Sequence, residues 1–292
     1  MKQRLISSGV GIIILVAVLI LHKTLVFPIA LALIVGIILF ELIRAIGGLE
    51  FKLATVGVMV YGVFSLLEFS HKFFGIVSSL TSLEASLEII NALDDVLLPV
   101  CLALLFWDYM RHPKNFLVEQ GAFMIASMIL VPYSIRFLII FNDDGTYAEH
   151  GLFYVILALC GAWIADSGAY FSGIALGKHK LCPEISPKKT IEGFIGGLIS
   201  NAVIFVLIFL IYAKCNAMDF NIGQGLKSAL LGLVCAGVSV LGDLTASVIK
   251  RQKGIKDYGN IMPGHGGLMD RFDSVLFVVP AFYTCIKLFP IF

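Results

Sequence analysis

The sequence predicts an all-α fold, that of a polytopic integral membrane protein with about nine transmembrane helices. The composition is the first reason: 59% of the 292 residues are hydrophobic and only 14% are charged, against about a quarter charged in an average soluble domain. The mean hydropathy is +0.97. The second reason is that the apolar residues form long runs, and the third is that the basic residues gather on one side of these runs.

Each predicted helix is an apolar run long enough to cross about 30 Å of hydrocarbon, where only a helix satisfies its own backbone groups. The third run is short. The predicted spans are 5–21, 25–46, 53–67, 88–107, 116–141, 151–176, 191–213, 225–249 and 274–291. No internal repeat or low-complexity linker separates them. We therefore expect residues 1–292 to form a single membrane-embedded unit, with N-terminal spans in 1–150 and the chemistry in 151–292.

The basic residues predict the orientation. If Met1 is cytoplasmic, the lysines and arginines that fall outside are Lys23, Lys72, Arg136, Lys214, Lys227 and Lys287. The other 15 of the 21 basic residues then lie on the cytoplasmic side. Positive residues are enriched in cytoplasmic loops, so the chain is predicted to be N-in and C-out.

Several charged residues of the N-terminal half are predicted to be structural. Glu41 and Arg44 are three residues apart near the end of the second run, which favours an ion pair on the helix surface over a substrate contact. Asp94 and Asp95 are predicted to take either a shallow interfacial position or a buried polar contact. Asp108 belongs to a predicted solvated turn.

The sixth run contains a carboxylate among small residues, in Asp166-Ser-Gly-Ala-Tyr170. An unpartnered carboxylate is costly in an apolar helix, so Asp166 is expected to face a polar cavity. The alternative is a structural role, in which Ser167 or Tyr170 bonds a neighbouring helix.

The polar stretch from Lys178 to Glu192 contains four lysines and leads, through Ser186-Pro-Lys-Lys-Thr190, into a predicted helix at Ile191. A helix N-terminus offers unpaired N–H groups and partial positive charge, so Lys188, Lys189 and Thr190 could receive a phosphate. Cytoplasmic anchoring could also explain the lysines alone.

The densest charge lies in residues 247–274, which hold five basic residues, three carboxylates, one histidine and five glycines. On a helix, Asp270 and Asp273 would share one face and could share a cation. Asp243, Ser247 and Lys250 would share another face. Oxygen ligands suit Mg²⁺, while basic and glycine-rich segments receive phosphate.

The spacing from Ser247 to Asp273, Ser-x-x-Lys-Arg-x4-Lys-Asp-x5-Pro-Gly-His-Gly-Gly-x-x-Asp-Arg-x-Asp, resembles the signature of the phosphatidate cytidylyltransferases, or CDP-diacylglycerol synthases. The resemblance extends to Asp166–Tyr170 and Ile185–Gly193. It implies cytidylyl transfer from CTP to phosphatidate, giving CDP-diacylglycerol and pyrophosphate in phospholipid biosynthesis.

Charge, spacing and this resemblance together give the candidate site. The expected catalytic residues are Asp243, Lys250, Arg251, Lys256, Asp257, His265, Asp270, Arg271 and Asp273. The expected substrate-binding residues are Asp166, Ser186, Lys188, Lys189, Thr190, Glu192, Ser247, Pro263, Gly264, Gly266 and Gly267. The expected metal ligands are Asp243, Asp270 and Asp273, holding Mg²⁺ with room for a second cation.

The expected partners are CTP, phosphatidate and membrane lipid, without nucleic acid, and the family resemblance implies a homodimer. We expect the protein in the bacterial inner membrane with its active site on the cytoplasmic face. Two other functions are compatible with a charged membrane protein. A CTP-dependent polyprenol kinase would use the same nucleotide, and an ion-coupled transporter would also place carboxylates in helices, although nearer the midplane.

Overall fold

The structure is a computed structural model that describes residues 2–68, 70, 75, 83–219, 221–262, 264 and 266–292. For residues 2–8, 83–91 and 94 it describes the backbone alone. The chain is predominantly helical, as the sequence predicts. Pro263 and His265, both expected at the site, lie outside the described residues.

Each predicted apolar run contains a helix. The elements are α1 Lys2–Ile20, α2 Val26–Ala45, a 3-10 turn Gly48–Glu50, α3 Lys52–Leu67, α4 Leu83–Arg111, α5 Val118–Asp143, α6 Gly151–Leu176, β1 Lys180–Cys182, β2 Ser186–Thr190, α7 Ile191–Cys215, α8 Ile222–Gln252, α9 Met269–Phe272 and α10 Val275–Leu288. Within the described ranges, α2, α5, α6, α7 and α8 are long and apolar enough to cross a membrane. The count of nine spans and their orientation stay predictions.

A two-stranded antiparallel ribbon joins α6 to α7 and was not predicted. Lys180 pairs with Thr190, and Cys182 pairs with Ser186. Pro183 and Pro187 lack backbone N–H donors and disfavour a helix here. The strands are too short and too polar to show a hydrophobic alternation in the sequence.

By its contacts the chain divides into two compact units. The first contains Met1–Glu149 and Ile255–Asp270, and the second contains His150–Gly254 and Arg271–Phe292.

In the first unit α3 packs against α2, α4 and α5. Asp108 lies at the end of α4 rather than in a solvated turn: it is 4% exposed, and its carboxylate accepts a hydrogen bond from the N–H of Ala54 over 2.9 Å. The prediction for Asp108 was wrong because the first turn of α3 needs an acceptor for its free N–H groups. Asp95 is exposed on α4.

In the second unit α7 packs against both α6 and α8. Asn201 is fully buried on α7, and its side-chain amide donates to the carbonyl of Gly161 on α6 over 3.1 Å and to that of Gly232 on α8 over 2.9 Å. These bonds join three apolar helices through one polar side chain, which fixes their register. Two of these helices, α6 and α8, carry Asp166 and Asp243 of the site described next.

Candidate active site

The second unit brings together three carboxylates and two lysines from separate elements. Asp243 on α8 forms an ion pair with Lys189 on β2, and their side chains are 26% and 21% exposed. Asp166 on α6 interacts electrostatically with both of them. Asp273, which follows α9, interacts with Asp243, Asp166 and Lys250. Residues that are far apart in the sequence therefore form one charged cluster, hereafter the acidic cluster, of Asp166, Asp243 and Asp273.

Asp166 has hydroxyl partners on two other elements. Ser239 Oγ on α8 donates to its Oδ1 over 3.4 Å, and Ser274 Oγ donates to its Oδ2 over 3.2 Å. The alternative structural role, through Ser167 or Tyr170, is not what the contacts show. Ser167 bonds the carbonyl of Trp163 on its own helix, and Tyr170 is 64% exposed. Asp166 itself makes the contacts, and they place it beside Asp243.

Asp273 is 6% exposed, and its Oδ1 accepts a hydrogen bond from the N–H of Ser274 over 2.7 Å. Burial raises the pKa of Asp273 to about 7, and the like charge of Asp243 adds to the rise. The backbone carbonyl of Asp273 approaches α8 closely at Gly242, where an added Cβ would lie 2.7 Å from it. A glycine just before Asp243 therefore lets the two carboxylate-bearing segments meet.

The basic residues expected at the site in the second unit differ in how exposed they are. Ser247 and Lys250 are half-buried on α8, which confirms that they lie on the same helix as Asp243. Arg251 is exposed, and its Nε donates to the carbonyl of Ile185 over 3.3 Å. Arg271 is exposed as well. Exposed guanidinium groups are suited to binding phosphate oxygens.

The predicted start of α7 is confirmed. Thr190 is the N-cap of the helix that begins at Ile191, and its Oγ1 accepts a hydrogen bond from the N–H of Gly193 over 3.1 Å. Glu192, in the first turn, accepts from the N–H of Lys178 over 3.0 Å and bonds His179 Nδ1 over 2.6 Å. Thr190 and Glu192 thus organise the turn, and their direct binding of substrate stays a prediction.

The two lysines that precede Thr190 differ in exposure. Lys188 is exposed on β2, with Ser186 half-buried at the start of the strand, whereas Lys189 is partly buried and points to Asp243. Alternating directions along a strand explain the difference. Lys188 is therefore accessible to an anion arriving from solvent.

In the first unit, the described residues between 258 and 270 form a loop that ends on the first residues of α9. Asp270 Oδ2 accepts hydrogen bonds from the N–H of Tyr258 over 2.8 Å and from that of Gly267 over 3.0 Å. The N–H of Met262 donates to the carbonyl of Gly266 over 3.1 Å. A carboxylate between two backbone N–H groups holds the start and the end of the loop together.

The expected helical face shared by Asp270 and Asp273 is not present. Helix α9 ends at Phe272, and Asp273 follows in a turn. The expectation assumed a longer helix, whereas α9 is a single turn before α10 begins at Val275. The assignment of Asp270 as a metal ligand stays a prediction.

Three of the other expected residues, in the loop or just before it, are at the surface. Lys256, Asp257 and Gly264 are exposed. Gly264 has a φ of 80° and Gly266 a φ of 86°, a left-handed conformation that favours glycine. Glycine at these two positions is thus explained by the backbone of the loop, and a contact of the glycines with phosphate stays a prediction.

Sequence reasoning missed Glu41 and Arg44. Glu41 is not on a helix surface: it is 0% exposed and accepts hydrogen bonds from the N–H groups of Leu268 and Met269 over 3.1 and 2.7 Å. Arg44 donates to the carbonyl of Tyr258. The expected ion pair between them was wrong. Both side chains instead form hydrogen bonds with backbone groups of the loop, which would otherwise lack partners. The only sequence signal was the position of a carboxylate in an apolar run.

The side chains of the acidic cluster suit a hard cation in their chemistry, since carboxylate oxygens are the ligands that Mg²⁺ prefers. Among the described residues, however, no three His, Cys, Asp or Glu side chains converge closely enough to hold a metal ion. Lys189 occupies the position of a cation against Asp243. The donor types therefore fit Mg²⁺, and a bound ion would replace or share the Lys189 contact.

Comparison with known proteins identifies the family of the chain. The sequence pattern of the Cytidylyltransferase family matches residues 2–289. A phosphatidate cytidylyltransferase from Bacillus subtilis (strain 168) is 35% identical over 293 residues, which cover 99% of this chain and 98% of that protein.

Two further phosphatidate cytidylyltransferases match over a shorter length. The protein of Staphylococcus saprophyticus is 38% identical over 62% of this chain and 65% of its own length. The protein of Haemophilus influenzae is 40% identical over 61% of this chain and 58% of its own length. The family pattern and the Bacillus protein, in contrast, match nearly every residue of the chain. The chain therefore belongs to the cytidylyltransferase family.

Proposed function

We propose that this protein transfers the cytidylyl group of CTP to phosphatidate, forming CDP-diacylglycerol and pyrophosphate. The observation that carries this proposal is the similarity, along 99% of the chain, to a protein named phosphatidate cytidylyltransferase. The acidic cluster and its surrounding basic residues support the same chemistry. They provide both cation ligands and phosphate contacts in one unit of the chain.

The reaction requires charge compensation. A phosphatidate phosphate oxygen attacks the α-phosphorus of CTP, a new P–O bond forms, and the bond to the β-phosphate oxygen breaks so that pyrophosphate leaves with the electron pair. Both reactants are anions, and two unit charges at about 4 Å repel by about 4 kcal/mol at an effective dielectric of about 20. The attacking oxygen is already ionised, so the site needs cations more than a general base.

The basic residues of the second unit supply this compensation. Lys189 and Lys250 lie against the acidic cluster, and Arg251, Arg271 and Lys188 are exposed beside it. Preorganised charged donors stabilise charge that develops in a transition state, because they need not reorient during the reaction. Thr190 fixes the N-terminus of α7, whose free N–H groups favour a phosphate.

Asp243 and Asp273, with Asp166 beside them, would hold Mg²⁺, and Asp270 is proposed as a further ligand. When bound, Mg²⁺ would neutralise triphosphate oxygens and orient the α-phosphorus. Asp166 accepts hydrogen bonds from Ser239 and Ser274, which hold its carboxylate beside the other two. Ser247 lies one helical turn after Asp243, where its hydroxyl can donate a hydrogen bond to a phosphate oxygen.

In the first unit, Lys256, His265 and the glycines Gly264, Gly266 and Gly267 are proposed to contact phosphate, with Pro263 shaping the loop. Exposed Lys256 is accessible to an anion. Asp257 is exposed next to it and is proposed to pair with a lysine rather than with a metal.

The five apolar helices support an integral membrane protein. We propose that it resides in the bacterial inner membrane with an N-in, C-out topology and an active site on the cytoplasmic side, where CTP is available. The homodimer implied by the family resemblance is proposed as its assembly. The proposed topology depends on the charge asymmetry of the sequence.

The test is mass spectrometry of the lipid product. Purified protein is incubated with CTP, Mg²⁺ and phosphatidate, and an Asp243→Asn variant serves as the matched control. We expect a lipid with the mass of CDP-diacylglycerol in the wild-type reaction and at most a trace with the variant. A parallel reaction also contains a polyprenol. If the polyprenol is phosphorylated while phosphatidate stays unchanged, the proposal is refuted in favour of a kinase.

A further inference from the structure

Glu41 is buried in an apolar helix, and each of its two carboxylate oxygens accepts a hydrogen bond. It lies on α2, is 0% exposed, and accepts from the N–H of Leu268 with Oε1 over 3.1 Å and from the N–H of Met269 with Oε2 over 2.7 Å. These two N–H groups belong to the start of α9, where a helix has no backbone acceptors of its own. Glu41 thus supplies, from 227 and 228 residues earlier in the chain, the acceptors that this helix lacks.

The loop is built closely around this carboxylate. A Cβ added to Gly259 would lie 1.9 Å from Glu41 Oε1, and one added to Gly267 would lie 2.5 Å from Oε2. No side chain fits at either distance, so both positions require glycine for space. Two glycines at opposite ends of the loop therefore share one contact, the carboxylate of Glu41.

Arg44, one turn further along α2, holds the other end of the same loop. Its Nη2 donates to the carbonyl of Tyr258, while the N–H of Tyr258 donates to Asp270. Phe40 lies under the guanidinium group, 5.8 Å from its ring centroid. Helix α2 thereby contacts the first residue of the loop through Arg44 and its last residues through Glu41.

We propose that Glu41 is a positioning residue for the cytidylyl-transfer reaction: it fixes the backbone at Leu268 and Met269 so that Asp270, the next residue, presents its carboxylate in one orientation. The inference rests on the proposed function for its catalytic part and on the loop geometry for its structural part. Glu41 does not contact substrate. It acts through Asp270, whose Oδ2 accepts hydrogen bonds from the N–H groups of Tyr258 and Gly267.

The experiment compares Glu41→Gln with Glu50→Gln. The glutamine side chain has the same shape, but its NH₂ group would face one of the two backbone donors, and the bond to it is lost. Glu50 is an exposed glutamate nine residues later, so its replacement changes the same charge without touching the loop. Hydrogen–deuterium exchange of the purified full-length protein reports on the amides of residues 258–270, and steady-state kinetics report on turnover.

For Glu41→Gln we expect exchange in residues 258–270 to quicken by about tenfold or more, exchange in α7 to stay as in the wild type, and kcat to fall by about tenfold or more at saturating CTP. Glu50→Gln should match the wild type in all three. Unchanged loop exchange, or faster exchange throughout the chain, would refute the positioning role. So would faster loop exchange with full turnover.

A second variant keeps the inference testable if Glu41→Gln does not accumulate. Gly259→Ala retains the Glu41 carboxylate but displaces it from the loop. We expect faster hydrogen–deuterium exchange of the same loop amides in this variant, and exchange at the wild-type rate would contradict the inference. The two readouts also separate the claims. A wild-type protein that makes no CDP-diacylglycerol would overturn the proposed function. Loop amides that exchange at the same rate in Glu41→Gln as in the wild type would overturn the positioning role.

Discussion

Lys189 and Asp243 form an ion pair in which each side chain is about three-quarters buried. The ion pair thus connects strand β2 to helix α8. The sequence predicts that Lys189 binds phosphate and that Asp243 binds metal. The pair offsets part of the negative charge of the acidic cluster, because it places the ammonium group of Lys189 against Asp243. It also means that substrate or Mg²⁺ must compete with an internal partner.

The pair leads to a first prediction. Asp243→Asn and Lys189→Gln should each reduce kcat/KM for CTP by at least about a hundredfold, since one charged contact to a transition state is commonly worth about 3 kcal/mol. Lys180→Gln is the matched control, because Lys180 is an exposed lysine on the neighbouring strand β1. Steady-state kinetics with purified protein measure all three. Normal kinetics for Lys189→Gln would show that the pair only stabilises the fold.

A second prediction concerns the metal. Asp243→Asn, Asp273→Asn and Asp270→Asn should each lower turnover by at least about a hundredfold and raise the Mg²⁺ concentration that gives half activity. Asparagine keeps the volume and removes the charge. Asp257→Asn should cause a smaller loss with an unchanged Mg²⁺ requirement, because that residue is exposed.

The Mg²⁺ titrations also separate the two kinds of carboxylate. If Asp270 acts only on the backbone of its loop, Asp270→Asn will lose turnover while its Mg²⁺ requirement stays as in the wild type. Near-normal activity for Asp273→Asn would end the assignment of this residue as a ligand.

The third prediction is the topology. Single cysteines at Lys188 and Lys253, both exposed, should react with an impermeant thiol reagent only from the cytoplasmic side, and one at Asp144 only from outside. The parent protein should carry serine at Cys182 and Cys215, because these native thiols lie in polar segments and would add background. Labelling from the opposite sides would invert the orientation and put Lys188 out of reach of CTP.

The sequence predicted the helices well but not the side-chain contacts between distant segments of the chain. Apolar runs predict helices because a chain in hydrocarbon must satisfy its backbone internally, and Thr190 before Ile191 is a local capping signal. The contact of Glu41 with Met269 spans 228 residues and leaves no periodic trace, so no local rule could find it. Asp273 was predicted on a helix because nothing in the sequence marks Phe272 as its end.

The same limits explain the site. Helical spacing from Ser247 and Lys250 pointed to Asp243, and the position just before the helix at Ile191 pointed to Lys189. Neither spacing nor charge could reveal that these two residues pair with each other. That contact depends on the ribbon of β1 and β2, which places Lys189 opposite α8 and whose strands are too short to be recognised.

The most direct test of the central claim follows the phosphorus atoms of CTP. Purified protein, phosphatidate and Mg²⁺ are incubated in parallel with CTP labelled in the α-phosphate and with CTP labelled in the γ-phosphate, and lipid and aqueous phases are counted separately. If phosphatidate attacks the α-phosphorus, the α label will enter the lipid and the γ label will leave as pyrophosphate. Recovery of the γ label in the lipid, with the α label in the aqueous phase, would contradict cytidylyl transfer.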